Sequence, residues 1–348
     1  MSQPATVDEP FAVRWGRRAV TVPTYLGVGV SIFVFLPVLV LLALAADAVR
    51  RTGRLATVRC VLGLALYFAC EAVGVVATFL LWVANGVAGA ANPERFLSWN
   101  LALQDWWARA LFGGAIRLFG MRTEVSGGDA VREGPLFLFS RHASTLDTLL
   151  PAVFVSHPRT LRLRWVMKRE LLWDPCLDVV GQRTRNAFVR RDSDDPEKEI
   201  AIVRQLATDL GARDGLLIFP EGTRFSPAKR AQVLARLSTS GQPARLERVQ
   251  SLRHVLPPRL GGPLALLAAR PDVDVVFLAH VGFEGTARLS DVWNGKLVGR
   301  TVRLRFWRVP SATIPRDPEG RAEWLDAQWA QIDAWLDAEC PATPAAAP

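Results

Sequence analysis

Leu136-Phe137-Leu138-Phe139-Ser140-Arg141-His142-Ala143-Ser144-Thr145-Leu146-Asp147 is the stretch from which the rest of the chain can be read. Its first four residues follow Gly134-Pro135 and are apolar without interruption, the pattern of a strand covered on both faces. Ser144 or Thr145 can cap a helix N-terminus. Ser144-x-x-Asp147 has capping-box spacing, with Asp in place of Glu, ahead of Leu149 and Leu150. His142 therefore falls in a strand-to-helix turn, where open α/β sheets place their ligands. A neutral imidazole can take a proton from a hydroxyl near working pH. Asp147 can hold one ring nitrogen, fix the tautomer and steady the imidazolium that forms. No Ser or Cys nucleophile is needed if the hydroxyl belongs to a substrate. Taken alone, the pair also fits a plain helix cap beside a strand-end histidine.

Working outward, short apolar runs alternate with helical patterns from about residue 121, which predicts an α/β domain over 121–310. The candidate strands are 123–126, 136–140, 164–167, 187–189, 216–219, 273–281 and 302–307. Helical patterns cover 146–155, 196–210, 229–237 and 320–338; a small polar loop is expected at 238–244 and a C-terminal helix within 311–340. The Pro/Ala-rich stretch 341–348 is expected to be disordered. A second buried strand leads into Phe219-Pro220-Glu221-Gly222-Thr223-Arg224-Phe225. That turn offers an acid, a flexible glycine, a hydroxyl and a guanidinium, and Arg with free backbone amides is what a phosphate requires.

The N-terminal third differs in composition. A polar segment, 1–21, carries Arg14, Arg17 and Arg18 ahead of the uncharged run 22–46, long enough to cross a bilayer at about 1.5 Å per residue. A cleaved signal peptide is disfavoured because its apolar core would span only about 7–15 residues. A second apolar segment, 60–84, contains one acid, Glu71, expected to make a structural polar contact. Together these predict a two-helix membrane anchor over 22–90. Its flanking arginines pull the orientation both ways, and a hairpin dipping into one leaflet removes the conflict. The pattern from 96 to 120 reads as an amphipathic helix whose Trp residues suit either a headgroup region or packing on the following domain.

The chain of 348 residues has a formal charge of +9 and is 50% hydrophobic, a balance that suits anionic partners at a membrane. Nucleic acid is excluded as a partner by the apolar N-terminus and the lack of a recognition motif. Cys60, Cys70, Cys176 and Cys340 show neither zinc nor disulfide spacing, and His157, His254 and His280 are not at metal-ligand spacing, so no metal is expected.

With these blocks in hand, the stretch from 121 to 307 resembles the glycerolipid acyltransferase family, which includes the 1-acylglycerol-3-phosphate acyltransferases. His142-Ala143-Ser144-Thr145-Leu146-Asp147 matches its first block, with Arg141 where the family usually has Asn. Val166-Met167-Lys168-Arg169-Glu170-Leu171 resembles the basic segment that follows. Ala187-Phe188-Val189-Arg190-Arg191 resembles the second block, with Arg185 where Gly is usual, and Phe219 to Arg224 matches the third in full. His254-Val255-Leu256-Pro257-Pro258-Arg259, the basic insertion 226–252 and Trp324-Leu325 resemble the lysophosphatidate and lysocardiolipin acyltransferase subgroup.

The resemblance implies a mixed sheet flanked by helices and an O-acyltransferase that turns lysophosphatidic acid into phosphatidic acid. Acyl-CoA or acyl carrier protein would be the co-substrate, with no other cofactor. It implies His142 as base and Asp147 as its orienter, an acceptor-phosphate site of Lys168, Arg191, Glu221, Gly222, Thr223 and Arg224 in which the three cations hold the phosphate and Glu221 and Gly222 shape the turn, and first-turn amides of the next helix facing the oxyanion. The expected location is the membrane, with the catalytic domain at the cytoplasmic face. Two other functions stay in view: the same chemistry on another lysophospholipid, such as a lysocardiolipin-like acceptor, and a non-catalytic membrane-anchored phospholipid-binding protein.

Overall fold

The computed structural model describes residues 9–51, 54–87, 92–156, 161–190, 195–286 and 289–339. Its helices are α1 (Phe11–Arg50), α2 (Ala56–Val87), α3 (Pro93–Phe119), α4 (Pro175–Arg183), α5 (Pro196–Ala207), α6 (Pro227–Thr239), α7 (Pro243–Val249), α8 (Gly261–Ala269), α9 (Leu289–Trp293) and α10 (Pro318–Glu339). Its strands are β1 (Arg122–Ser126), β2 (Leu136–Ser140), β3 (Arg162–Lys168), β4 (Ala187–Val189), β5 (Asp214–Ile218), β6 (Asp274–Val281) and β7 (Thr301–Val309). They fall into two compact units. One comprises Met1–Arg122, Leu149–Asp194 and Leu289–Arg300, and the other Thr123–Thr148, Asp195–Arg288 and Thr301–Pro348.

In the first unit, α1 and α2 pack along one another and both are long and apolar enough to cross a membrane. Phe33, Val34, Phe35, Leu41 and Leu42 on α1, and Val76, Phe79 and Leu80 on α2, point outward. The turn between them is closed by Asp47, whose carboxylate accepts from the backbone N–H of Thr57 at 3.0 Å and of Val58 at 3.1 Å, satisfying donors that a helix start leaves free. Helix α1 starts earlier than the uncharged run. It carries Arg17 and Arg18 onto Asp178 of α4, at 3.0 and 2.9 Å, so these arginines serve a protein contact.

Helix α3 is capped by Asn92, ends at Gly120 in the left-handed region, and packs on α2; Trp107 donates its Nε1–H to Glu71 at 2.9 Å. Trp107 thus contacts the anchor helix α2, which neither reading of this helix gave, and Glu71 does make a structural polar contact. Strands β3 and β4 pair in parallel, with Met167 opposite Phe188. Arg185 precedes β4 with no positive φ: among the described non-glycine residues only Arg51 and Leu55 have one, so this backbone does not require the family's glycine.

In the second unit the strand order is β1-β7-β6-β2-β5. Strand β2 runs parallel to both β5 and β6, and β7 runs antiparallel to β6, which makes the sheet mixed. All five residues of β2 are buried, as the continuous apolar run predicts, and each large side chain so buried stabilises by roughly 1.5–3 kcal/mol. Helix α10 covers β6 with Trp324 and Trp329 against Phe277. The register pairs Phe139 with both Ile218 and Phe277, so β2 and β5 stop within a residue of each other and β6 runs on to Val281 in the same direction. The turns after residues 140, 218 and 281 therefore meet at one edge.

The helix expected at 146–155 is present over Leu146–Ser156, opening as a 3-10 turn, Leu146–Leu149, and closing as a π turn, Ala152–Ser156. Pro151 has no N–H to give, which interrupts the regular α ladder there. The loop expected at 238–244 shrinks to 240–242, because Pro243 starts α7 at a position where its missing N–H costs nothing. Helix α8 went unread because its opening Gly261-Gly262-Pro263 carries the composition of a turn. The 1–8 segment, His157, Arg191, Cys340 and the 341–348 tail lie outside the described residues.

Candidate active site

His142 leaves the end of β2 with its backbone held from both sides. Its N–H donates to Glu221 Oε1 at 2.8 Å, and its carbonyl accepts from the Phe225 N–H at 2.9 Å. The Phe219-to-Phe225 turn thus fixes the histidine in place, and the Phe219 ring lies 4.7 Å from the imidazole. On the ring, Nδ1 meets Asp147 Oδ1 at 2.9 Å. Asp147 Oδ2 accepts from the backbone N–H groups of Ala143 at 2.5 Å and Ser144 at 2.7 Å. The Ser144 contact is one half of the capping box that the spacing predicts; the other half is missing, since the Ser144 hydroxyl meets Leu146 N–H at 3.4 Å.

The tautomer follows from these contacts. Burial alone would push the Asp147 carboxyl up, but the contacts it makes with His142 and His280 outweigh it and hold Asp147 well below the usual carboxylate range. An ionised Asp147 is only an acceptor, so Nδ1 of a neutral His142 carries the proton and Nε2 carries the lone pair. The imidazole is oriented as a base toward whatever lies at Nε2. The first-turn amides expected to face an oxyanion are in part spent: those of Ala143 and Ser144 already bond Asp147.

Glu221 lies inward. Besides holding His142, its Oε2 accepts from the Leu256 N–H at 2.9 Å, so one carboxyl joins three segments. Burial pushes it up to about 8, against the opposing pull of the Leu256 amide, Arg141 and the His142 amide. With both oxygens committed to backbone amides, Glu221 is placed as a structural tie, and a carboxyl is in any case a poor partner for phosphate. Gly222 has φ +70°, in a tight turn closed by its N–H on Phe219 O. A Cβ there would lie 2.8 Å from Arg259 Nε, which puts Arg259 beside the turn. Thr223 accepts from Lys229 Nζ at 2.8 Å, and Arg224 donates to the Thr145 hydroxyl at 2.6 Å. His142, Asp147 and residues 221–224 therefore share one unit, with Arg224, Lys229 and Arg259 supplying positive charge. Lys168 ends β3 in the other unit, and Arg191 lies outside the described residues.

Arg141, His280, Lys229 and Arg259 were not singled out as site residues from the sequence. Arg141 is buried and donates to His280 O at 2.6 Å, Glu284 Oε1 at 2.8 Å and His254 O at 3.2 Å. His280 is also fully buried, with Nε2 3.4 Å from Asp147 Oδ2. The signal for His280 was a lone polar residue in the apolar run of β6; its neighbour across the sheet could not be read from that run. Among the described residues no group of three or more His, Cys, Asp or Glu side chains is placed to hold a metal ion.

A mixed sheet whose central strand ends in an oriented His-Asp pair, beside a basic Pro-Glu-Gly-Thr-Arg turn, is an arrangement suited to acyl transfer to a hydroxyl. Residues 122–261 match the model of the Acyltransferase family. The mouse 1-acyl-sn-glycerol-3-phosphate acyltransferase epsilon is 26% identical over 204 residues, covering 56% of this chain and 54% of its own length. The human delta enzyme is 28% identical over 173 residues, covering 49% of this chain and 43% of its own length. The chain thus spans about half the length of these curated relatives. The crystal structure of the Thermotoga maritima 1-acyl-sn-glycerophosphate acyltransferase PlsC superposes with a TM-score of 0.51 at 16% identity, over 80% of this chain and 98% of that one; the two share a fold.

Proposed function

We propose that the protein is a membrane-bound O-acyltransferase that moves an acyl chain from acyl-CoA or acyl carrier protein to lysophosphatidic acid, giving phosphatidic acid. The observation that carries this reading is the His142–Asp147 contact at 2.9 Å, which leaves Nε2 as a base beside a turn bearing Arg224. The acceptor hydroxyl gives its proton to His142 Nε2 while its oxygen attacks the thioester carbonyl. Asp147 steadies the imidazolium so formed. Collapse of the tetrahedral intermediate breaks the C–S bond, and the departing thiolate takes the proton back from His142. Arg224, with Lys168 and Arg191 as further candidates, binds the acceptor phosphate, a role to which bidentate guanidinium geometry is suited. Thr223 and Gly222 shape that turn, and Glu221 holds it against His142.

Both acceptor and product are lipids, which accounts for two helices with outward apolar faces. The protein is accordingly assigned to the membrane, with its acyltransferase domain at the cytoplasmic face, where thioester donors are found. The relatives are 1-acyl-sn-glycerol-3-phosphate acyltransferases, which supports lysophosphatidate as acceptor over a lysophospholipid with a larger headgroup. A non-catalytic lipid-binding role is disfavoured, because holding a phosphate gives no reason to orient an imidazole on a buried carboxylate. The test is an acceptor panel: membranes containing the protein, a radiolabelled acyl donor, and lysophosphatidate beside lysophospholipids with larger headgroups. Label entering phosphatidate first supports the proposal, and label entering only another phospholipid replaces lysophosphatidate as the acceptor.

A further inference from the structure

We infer that His280 is a positioning residue for the proposed acyl transfer, donating an Nε2–H to the second oxygen of Asp147 and so setting how strongly that carboxylate holds His142. The inference rests on the catalytic reading of His142.

His280 sits near the end of β6, fully buried, with its ring against Phe283 at 5.7 Å. Its Nε2 lies 3.2 Å from the Arg141 carbonyl and 3.4 Å from Asp147 Oδ2. A carbonyl and a carboxylate can only accept, so Nε2 must carry the hydrogen. Its Nδ1 is buried with no hydrogen-bond partner among the described residues, which favours the neutral ring, since a second N–H there would be an unpaired buried donor. His280 is thereby a fixed neutral donor. Arg141 holds it in place by donating to the His280 carbonyl at 2.6 Å while its own carbonyl receives Nε2.

The consequence falls on Asp147. Its Oδ1 serves His142, and its Oδ2 takes the amides of Ala143 and Ser144 and, at 3.4 Å, a share of the His280 Nε2–H that also reaches the Arg141 carbonyl. Each donor on Oδ2 draws negative charge away from Oδ1. The carboxylate still orients His142 but stabilises the imidazolium less than a carboxylate with free lone pairs would. The groups facing His142 are Asp147 on its ring, Glu221 on its backbone N–H, and the neutral His280 behind Asp147. Arg141 with Glu284 stands next to it in sequence, and Arg224 lies on the Thr145 hydroxyl. Of these, His280 is the side chain that bonds Asp147 from the side away from His142.

The sign of the perturbation follows. With the His280 donor gone, Oδ1 gains charge, imidazolium is favoured, and the low-pH limb of kcat/KM moves to higher pH. In His280→Leu, of similar volume and without a donor, the limb is expected to move up by about half a pH unit, with acceptor KM unchanged and, because Asp147 then places the His142 ring less firmly, kcat down about tenfold. In His280→Gln the amide nitrogen reaches about as far as imidazole Nε2, so the limb returns to its wild-type position and most of kcat is recovered. Loss of activity that is equal in the Leu and Gln variants, with the limb unmoved in both, would overturn the inference. A parallel titration of 13C-labelled histidine by NMR in detergent micelles follows His142 without any turnover. There the His142 midpoint rises in His280→Leu and not in His280→Gln; an unmoved midpoint in folded His280→Leu protein overturns the inference whatever the acceptor proves to be. Wild-type protein that transfers no acyl chain, but shows the NMR shift, would instead tell against the proposed reaction alone.

Discussion

Replacing Glu221 by Gln separates its two conceivable roles, a tie between loops and a contact to substrate. The variant keeps the shape of the side chain, but a carboxamide has one accepting oxygen where Glu221 offers an acceptor to each of two buried amides, those of His142 and Leu256. A protonated carboxyl still has lone pairs on both oxygens; the amide nitrogen has none to offer. One buried N–H is therefore left facing a donor, at a cost of about 1–3 kcal/mol.

The wild-type residue adds a pH dependence that the variant lacks. Burial pushes the folded carboxyl up to about 8, from roughly 4.3 in the unfolded chain. Between those values only the folded state holds the proton. The stabilisation it gives is fully present below the unfolded value and is lost as pH rises through the folded one, at a limiting slope of about 1.4 kcal/mol per pH unit. Urea unfolding in detergent micelles at pH 5, 6, 7 and 8, followed by Trp fluorescence, measures both effects. At pH 5 the wild type is expected to be more stable than Glu221→Gln by about 1–2 kcal/mol, with the gap closing or reversing by pH 8. A gap that stays constant over this range would refute the raised carboxyl, and no gap at any pH would refute the tie. In turnover, a fall in kcat at constant acceptor KM fits a residue that holds the His142 backbone, whereas a rise in acceptor KM alone would place Glu221 at the phosphate.

Asp147→Asn should lower kcat by about 10³-fold: with its oxygen on the Ala143 and Ser144 amides, the new NH2 faces Nδ1 and forces the proton onto Nε2. Steady-state kinetics check this, and loss of less than about fivefold would contradict the tautomer argument. Arg224→Ala should raise acceptor KM by about tenfold or more and leave the donor KM unchanged, with Arg224→Lys recovering part of it; an effect confined to the donor would remove Arg224 from the phosphate site.

What was legible in the sequence and what was not divide along the distance over which each constraint acts. The strands could be read because β2, β5 and β6 are covered on both faces and show as continuous apolar runs with polar residues where each run stops. His142 and Asp147 stood out because both lie in one turn. His280 and Arg141 did not, since their roles depend on β6 lying beside β2 though 139 residues separate them in sequence. The helix at 146–155 was legible from its apolar spacing, but its 3-10 and π turns were not, because that spacing takes no account of Pro151. Arg17 and Arg18 were read as flanking charges of a membrane segment, and nothing local could have announced Asp178, about 160 residues on, as their partner.

The central claim is that His142 Nε2 deprotonates a lipid hydroxyl that then takes an acyl chain. Its most direct test is His142→Ala in membranes supplied with acyl-CoA and lysophosphatidate, counting free thiol and radiolabelled phosphatidate together. The account predicts that both fall by about 10²-fold or more in the variant while the protein still binds lysophosphatidate through the Arg224 turn. Thiol and phosphatidate formed at rates within about twofold of wild type would contradict it.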